Sequence, residues 1–536
     1  MNNRSLLKSL LVAASLFFAV TVQAQTPPEK PKPNWQNLDL KTDGMFGIST
    51  ERAYTELLKG KKPTKVIVAV IDGGVDVNHE DLKSIIWINP KETAGNQTDD
   101  DKNGYADDMH GWDFIGSAKG NVQYDNLELT RLVKKYWYKY AYTNPDTLKP
   151  AELAIYKEQQ KLNLELQKKR TEAQESLQNI TGFKRAIESV QRALATDNPT
   201  LQDFQMFVPQ NQVDNQVKTI VLKMLPNYKD YKEFKKKVID DGYDHYNEQL
   251  NYHLNLDYEP RDMVGDDYTN SNEHFYGNND VTGPDADHGS HVSGIIGAIR
   301  DNTLGIKGVA NNVAIMSVRT VPNGDERDKD VANAIRYAAD NGARVVNMSF
   351  GKSYSWDKKT VDEAVKYAMS KDVLLVHAAG NDNQDNDKEK NFPTRVYENN
   401  SGTADAWIEV GASGFKDDKT LKASFSNYGK NSVDVFAPGV AINSTTPNST
   451  YDEHDGTSMA APVVTGLAAL IRSYYPKLTA VQVKDIILQS VVKINHKVAI
   501  KDGKKEKNIA FDELCKTGGI VNAYNALQLA GTYATK

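Results

Sequence analysis

Six consecutive apolar residues, Val66-Ile67-Val68-Ala69-Val70-Ile71, run directly into Asp72-Gly73-Gly74. A strand with one wet face alternates apolar and polar side chains; a run without a polar break reads as a strand buried on both faces, which places it in a parallel sheet covered by helices. Similar runs recur at residues 313–318, 345–348, 373–376, 407–410 and 433–436. Helix-like segments such as 330–340 and 359–369 lie between several of them. Strands alternating with helices predict an α/β fold whose parallel sheet has helices on both faces.

In such sheets, sites form at the carboxyl ends of the strands. Asp72 stands there, where a buried strand breaks at two glycines. A second polar turn, Asp287-His288-Gly289-Ser290-His291-Val292-Ser293-Gly294, leads into small residues with helical spacing. A third, Gly456-Thr457-Ser458-Met459-Ala460-Ala461-Pro462, precedes a buried-helix pattern over 463–471. A serine at a helix start has free backbone N–H groups and the positive dipole end beside its hydroxyl, which suits a developing oxyanion. Pro462 is expected in the first turn, where its missing N–H has no intrahelical partner to lose. Alone, Gly-Thr-Ser is equally an ordinary helix cap. The choice turns on a base and an orienting acid. Acyl-transfer chemistry needs a hydroxyl, an imidazole to take its proton and a carboxylate to hold the imidazole tautomer, and this chain offers Ser458, His288 and Asp72. Their order along the chain, Asp-His-Ser, distinguishes one of the unrelated folds that use this constellation.

These segments, with Ala378-Ala379-Gly380-Asn381 as a fourth, resemble the motifs of the subtilisin-like serine proteases, the subtilases. The resemblance implies a secreted serine endopeptidase with a subtilisin-like fold. Asp72, His288 and Ser458 would form the catalytic triad, and the side-chain amide of Asn381 would join the Ser458 N–H in binding the oxyanion. It also implies a substrate cleft with Ser349, Phe350 and Gly351 as one wall and Ala378, Ala379 and Gly380 as the other, offering backbone to an extended peptide. The tail Gly518-Gly519-Ile520-Val521-Asn522-Ala523 resembles the segment that closes this domain. No cofactor is needed for the chemistry. Two readings from other classes stay open: a catalytically silent scaffold that binds a partner through its middle segment, and a related acyl transfer such as peptide ligation or ester hydrolysis.

Composition agrees with an exported enzyme. With 536 residues, 39% of them hydrophobic, the chain can bury a large core and more than one domain. Residues 1–24 read as a signal peptide: Arg4 and Lys8, a short apolar core over 10–20, then Val22-Gln23-Ala24 as a small-residue cleavage site. That core is too short to span a bilayer, and no later stretch reaches transmembrane length. The expected location is therefore periplasmic or extracellular, with no lipid anchor. Losing Arg4 and Lys8 takes the formal net charge from −6 to −8, which gives no reason to expect nucleic acid as a partner. Cys515 is the only cysteine, so there is no intrachain disulfide, and it reads as a packed core thiol.

Two segments carry metal readings. Asp99, Asp101, Asn103, Tyr105 and Asp107 stand at alternate positions of one loop with Gly104 sixth, a spacing that wraps oxygens around a calcium ion, although the terminal bidentate Glu is absent. The alternative for the same loop is a solvated, Asx-rich turn. The family resemblance implies a second, structural calcium held by Asp81, Asn302 and the carbonyls of Leu304 and Ile306; its ligand from the N-terminal arm has no recognisable counterpart. Of the ten histidines, His291, His377 and His454 lie near the motifs, as a structural residue, a strand-packed residue and a loop residue; none is expected to bind metal.

The chain departs from the simplest subtilases in its middle. Asp72 and His288 are 216 positions apart. Over 117–262 the composition turns to Lys, Glu, Gln, Leu and Tyr, predicting a helical insertion between 41–116 and 263–536, the two parts of the catalytic domain. Pro150 opens a helix, and Leu166, Ala173, Ile180, Ile187 and Leu194 recur every seven residues with Leu177 and Val190 between, a coiled-coil-like stripe that Asn179 and Gly182 are expected to bend. Another long helix is expected over 227–256. The insertion either packs on itself and covers one side of the sheet, or serves as a cap on the cleft or a docking arm for a partner. Residues 25–40 are Pro-rich and read as an extended linker, too short for a folded prodomain, so the insertion is expected to supply folding assistance. Asp382, Asp385, Asp387 and Glu389 after Asn381 suggest tolerance of basic substrate side chains, or simply a solvated acidic loop.

Overall fold

The apolar run at 66–71 becomes an interior strand of a nine-stranded sheet. The computed structural model describes residues 30–502 and 505–534. In chain order the strands are β1 (Val66–Asp72), β2 (Gly111–Asp113), β3 (Val313–Arg319), β4 (Val345–Met348), β5 (Leu374–Ala378), β6 (Trp407–Ser413), β7 (Val435–Pro438), β8 (Val492–Lys493) and β9 (Gly519–Ile520). They lie in the order β8-β9-β7-β6-β5-β4-β1-β3-β2. Every neighbouring pair is parallel except the edge pair β8–β9. All five later runs predicted as strands are strands. The short strands β2, β8 and β9 carry no readable period in the sequence because they hold only two or three residues each.

Alternate residues of β1 enter separate cores, as burial on both faces requires. Val66, Val68 and Val70 pack in a cluster with Val292, Ile295 and Ile296 of α1 (Asp287–Gly297) and Val463, Val464, Leu467 and Leu470 of α4 (Thr457–Tyr474). Ala69 and Ile71 pack with Val331 and Ile335 of α2 (Asp328–Asp340) and Val361 and Val365 of α3 (Lys358–Ser370). The result is a three-layer α/β/α sandwich. Cys515 is buried beside Phe511, Leu514 and Ile520.

Pro462 is the sixth residue of α4, in its second turn rather than its first. There its missing N–H does have an intrahelical acceptor to desert, the carbonyl of Ser458. The Ser349 hydroxyl donates to that carbonyl instead, at 2.9 Å. The cost of the proline is thus offset by a bond that ties the start of α4 to the end of β4.

The described residues divide into two units: Lys30–Glu128 with Glu259–Lys536 contains the sheet, and Leu129–Tyr258 is helical. In the helical unit one helix runs unbroken over Pro150–Leu194, through Asn179 and Gly182, with Leu166, Ala173, Ile187 and Val190 buried. Ile187 and Val190 join Phe204, Val217, Val221, Tyr231 and Phe234 in a core of the unit's own. Residues 231–253 form a run of α and π turns rather than one regular helix. The first part of the predicted insertion, residues 117–127, is not helical: Gly116–Ser117 pairs with Gly120–Asn121 as a small hairpin. Nor is the stretch just before residue 40 a free linker. Trp35 is 1% exposed and its indole N–H reaches the carbonyls of Val440 and Ala441, because one buried tryptophan can anchor a short arm. Residues 1–24, read as a signal peptide, lie outside the described residues. Among the described residues no helix is long and apolar enough to cross a membrane.

Candidate active site

Because β1, β4 and β5 are parallel neighbours, their carboxyl ends share one edge, and strand order reverses around β1. Asp72 closes β1, Ser349 follows β4, and Ala378 closes β5. His288 and Ser458 occupy the first turns of α1 and α4.

Asp72 and His288 meet directly. His288 Nδ1 lies 2.8 Å and 3.0 Å from the two carboxylate oxygens. The contact depends on Gly289: a Cβ there would fall 2.1 Å from the Gly74 carbonyl and 3.2 Å from Asp72 Cβ, so only a bare backbone lets the helix start press on the strand end. Asp72 is 2% exposed and also accepts the Gly73 N–H at 2.8 Å. A carboxylate can only accept, so Nδ1 carries the proton and Nε2 presents its lone pair. Burial works against the imidazolium, but the Asp72 carboxylate, helped by Asp287 and Asp285, outweighs it and raises the His288 pKa above the ordinary 6.5.

The Ser458 hydroxyl donates to the Ser349 carbonyl at 3.1 Å. Engaging His288 therefore requires its side chain to rotate away from that carbonyl. The Ser458 N–H is among the first four of α4, which have no intrahelical acceptor. Asn381 lies beside it. Its Oδ1 accepts from the backbone N–H and the hydroxyl of Thr457, both at 2.9 Å, and the Thr457 hydroxyl in turn accepts the Gly380 N–H at 3.1 Å. With Oδ1 so held, the amide is oriented and Nδ2 donates to nothing among the described residues. Thr457 was given no role in the sequence reading; its signal was only a hydroxyl between Gly456 and the serine. Asn381→Leu is expected to lower kcat by about 10²–10³-fold with little change in KM, the size of one oxyanion donor, in steady-state assays on a chromogenic peptide.

The two predicted walls lie close together. Asn391 Nδ2 donates to the Ala378 carbonyl at 3.0 Å, and a Cβ on Gly351 would fall 2.4 Å from Asn391 Oδ1. Asn391 thus touches both walls, a position no sequence pattern pointed to. The acidic residues after Asn381 are largely occupied elsewhere: Asp387 accepts the Asn431 and Ser432 N–H groups, and Asp385 pairs with Lys388. Segment 422–428 braces this loop. Asn427 Oδ1 accepts the Asp382 and Gln384 N–H groups, and Lys422 Nζ donates to Asn383 Oδ1 at 2.9 Å and the Ala423 carbonyl at 3.0 Å.

Lys422 is 2% exposed, and burial alone pushes its pKa down to about 7. Between there and the unfolded value of 10.5, the unfolded chain binds a proton that the folded chain lacks, so stability rises with pH across that window. Relative to Lys422→Met, the protein should gain roughly 2 kcal/mol between pH 7 and pH 9, a shift of a few degrees in Tm. Thermal melts of both at the two pH values, on a Ser458→Ala background, check this; a constant gap would contradict it.

The three other histidines near the motifs are held by contacts of their own. Burial lowers His291 to about pKa 3, its Nε2–H donates to the Ile442 and Asp452 carbonyls, and its ring stacks on His454 at 4.1 Å. His454 ends a strand, Thr450–His454, rather than sitting in a loop. His377 Nδ1 meets Glu409 at 2.9 Å, buried.

Both calcium readings find partial support in geometry. Asp81 is fully buried; Asn302 Nδ2 donates to its Oδ1 at 2.7 Å while its Oδ2 has no hydrogen-bond partner among the described residues, and burial raises its pKa. A buried carboxylate oxygen left bare fits a cation. Of the two residues whose carbonyls were expected to help, Ile306 is buried and Leu304 exposed. In the other loop, Asp99 and Asp101 gather with Glu92, one carboxylate oxygen from each lying within 4.8 Å of the others. Glu92, seven residues upstream, had no visible signal. Asn103 donates to Asp108, Tyr105 is buried with its hydroxyl on the His274 carbonyl, and Asp107 turns away to accept the N–H groups of Gly95, Asn96 and Gln97.

A parallel sheet with an Asp–His pair at one strand end and a serine in the first turn of the packed helix defines the class of serine hydrolases with the Asp-His-Ser order. The family model of the subtilase family matches residues 233–516, more than half of the chain, and the chain belongs to that family. Asp72 lies outside the matched span and is joined to it by the fold. The chain is 45% identical over 187 residues to a thermophilic serine proteinase of Bacillus sp. (strain AK1), an alignment covering 35% of this chain and 42% of that protein. It is 37% identical over 200 residues to subtilisin DY of Bacillus licheniformis, covering 37% of this chain and 68% of that protein. It is 41% identical over 187 residues to thermitase of Thermoactinomyces vulgaris, covering 35% and 61%. The chain thus spans less than two thirds of the first and third of these relatives.

Proposed function

We propose that this chain is an exported serine endopeptidase. The observation that carries the reading is the Asp72–His288 contact at 2.8 Å and 3.0 Å, at the sheet edge where Ser458 and Asn381 also stand. A peptide lies extended between Ser349-Phe350-Gly351 and Ala378-Ala379-Gly380. Ser458 Oγ turns from the Ser349 carbonyl, gives its proton to His288 Nε2 and attacks the scissile carbonyl. Asp72 holds the ring and stabilises the imidazolium. Asn381 Nδ2 and the Ser458 N–H receive the oxyanion. His288 then protonates the leaving amine, and the cycle repeats with water on the acyl-enzyme. Calcium takes no part in these steps. Asp81 and Asn302, with the Leu304 and Ile306 carbonyls, would hold one structural ion, and Asp99 and Asp101 with Glu92 would favour another.

Sequencing the products from a mixed peptide library tests the reading. New amino termini within peptides are expected. Joined peptides would indicate a ligase, cleavage of esters alone an esterase, and an untouched library would favour a silent scaffold.

A further inference from the structure

Lys352 directly follows the wall Ser349-Phe350-Gly351, and its side chain is 1% exposed. Its Nζ lies 2.7 Å from Glu128 Oε2, 2.7 Å from Asp328 Oδ1 and 2.6 Å from the Glu326 carbonyl, which engages all three ammonium donors. Its backbone makes both bonds of a bridge with Phe392, at 2.8 Å and 3.1 Å, next to the Asn391 carboxamide that touches both walls. The acceptors are themselves held. Asp328 Oδ2 takes the Ser355 hydroxyl at 2.6 Å and the Asp357 N–H at 2.7 Å. Asp325 accepts the Glu128 N–H at 2.7 Å, and Arg327 forks onto Asp125 at 2.7 Å and 2.9 Å. Three segments, 125–128, 325–328 and 349–352, are therefore joined by buried charge pairs behind one wall of the cleft. Glu128 is also the last residue before the chain leaves for the helical unit at Leu129.

A buried ion pair adds little net stability over an apolar contact of the same shape; what it adds is a fixed geometry, since each charge tolerates only its partner. Resting on the peptidase reading, we propose that Lys352 is a positioning residue: gripped by Glu128, Asp328 and the Glu326 carbonyl, it sets the place of the Ser349–Gly351 wall and so the binding of the substrate residue before the scissile bond.

The test compares wild type, Glu128→Gln, Lys352→Met and the double variant. Glu128→Gln and Lys352→Met are each expected to raise KM for a peptide substrate about tenfold, with kcat and the rate of labelling by a small fluorophosphonate within about threefold, because the wall shifts while the reacting atoms do not. The double variant removes the Lys352–Glu128 pair and leaves one buried carboxylate, Asp328, where Lys352→Met leaves two, so it should regain thermal stability relative to Lys352→Met without regaining KM. Should Lys352→Met not fold, Glu128→Gln decides, since it changes charge at constant shape. An unchanged KM in a variant of lowered Tm, or a KM that recovers with Tm in the double variant, makes the cluster merely structural and overturns the proposal. A wild type that is not labelled overturns the peptidase reading, and this proposal with it.

Discussion

Ser458→Ala is expected to lower kcat on peptides by about 10⁶-fold, leaving only the residual acceleration that substrate binding and the oxyanion donors supply. The fold should survive. Among the described residues the hydroxyl makes one hydrogen bond, to the Ser349 carbonyl, and alanine is the best helix former. The Ser349 hydroxyl still reaches the carbonyl of residue 458, which depends on backbone alone. Tm is thus expected within a few degrees of wild type, and single-turnover kinetics on a chromogenic peptide measure the loss. Because the three groups act together, adding His288→Ala to this variant should cost little more.

Asp72→Asn is expected to lower kcat by about 10⁴-fold with the backbone unmoved. Asparagine presents an NH₂ as well as an oxygen, and the Gly73 N–H already holds the carboxylate position Oδ1 at 2.8 Å. The NH₂ would then face His288 Nδ1, stripping it of its proton and placing the proton on Nε2, where Ser458 needs a base. The pH profile should change with it. Burial opposes the charged imidazole and Asp72 more than compensates, so His288 titrates above 6.5 and the wild-type acid limb of kcat/KM lies above that value. A raised pKa keeps the base protonated, and inactive, up to a higher pH. Removing the Asp72 charge should move the limb to lower pH. A limb that stays put would mean that His288 is not the base.

Much of this site could be read from the residues because its chemistry is local. Asp72 lies at the end of an unbroken apolar run, and His288 and Ser458 open small-residue helices; these are patterns of a few positions each. What escaped reading depends on contacts between distant segments. Glu92 joins Asp99 and Asp101 only through the folding of its loop. Asn391 reaches Gly351 and Ala378 across the cleft, and Lys352 meets Glu128 from 224 positions away. Pro462 was misplaced by one helical turn because a helix start is hard to fix from sequence, and that turn is what leaves the Ser458 carbonyl to Ser349. In the insertion the seven-residue repeat marked the long helix, which runs unbroken through Gly182: one glycine costs a helix about 1 kcal/mol, little against the packing along a 45-residue helix.

The most direct measurement is mass-spectrometric localisation of a fluorophosphonate adduct on the purified chain. The adduct should fall on Ser458, form faster above the His288 pKa than below it, and be lost in Ser458→Ala. No adduct under conditions that label a control serine protease, or an adduct that persists in Ser458→Ala, would contradict Ser458 as the nucleophile.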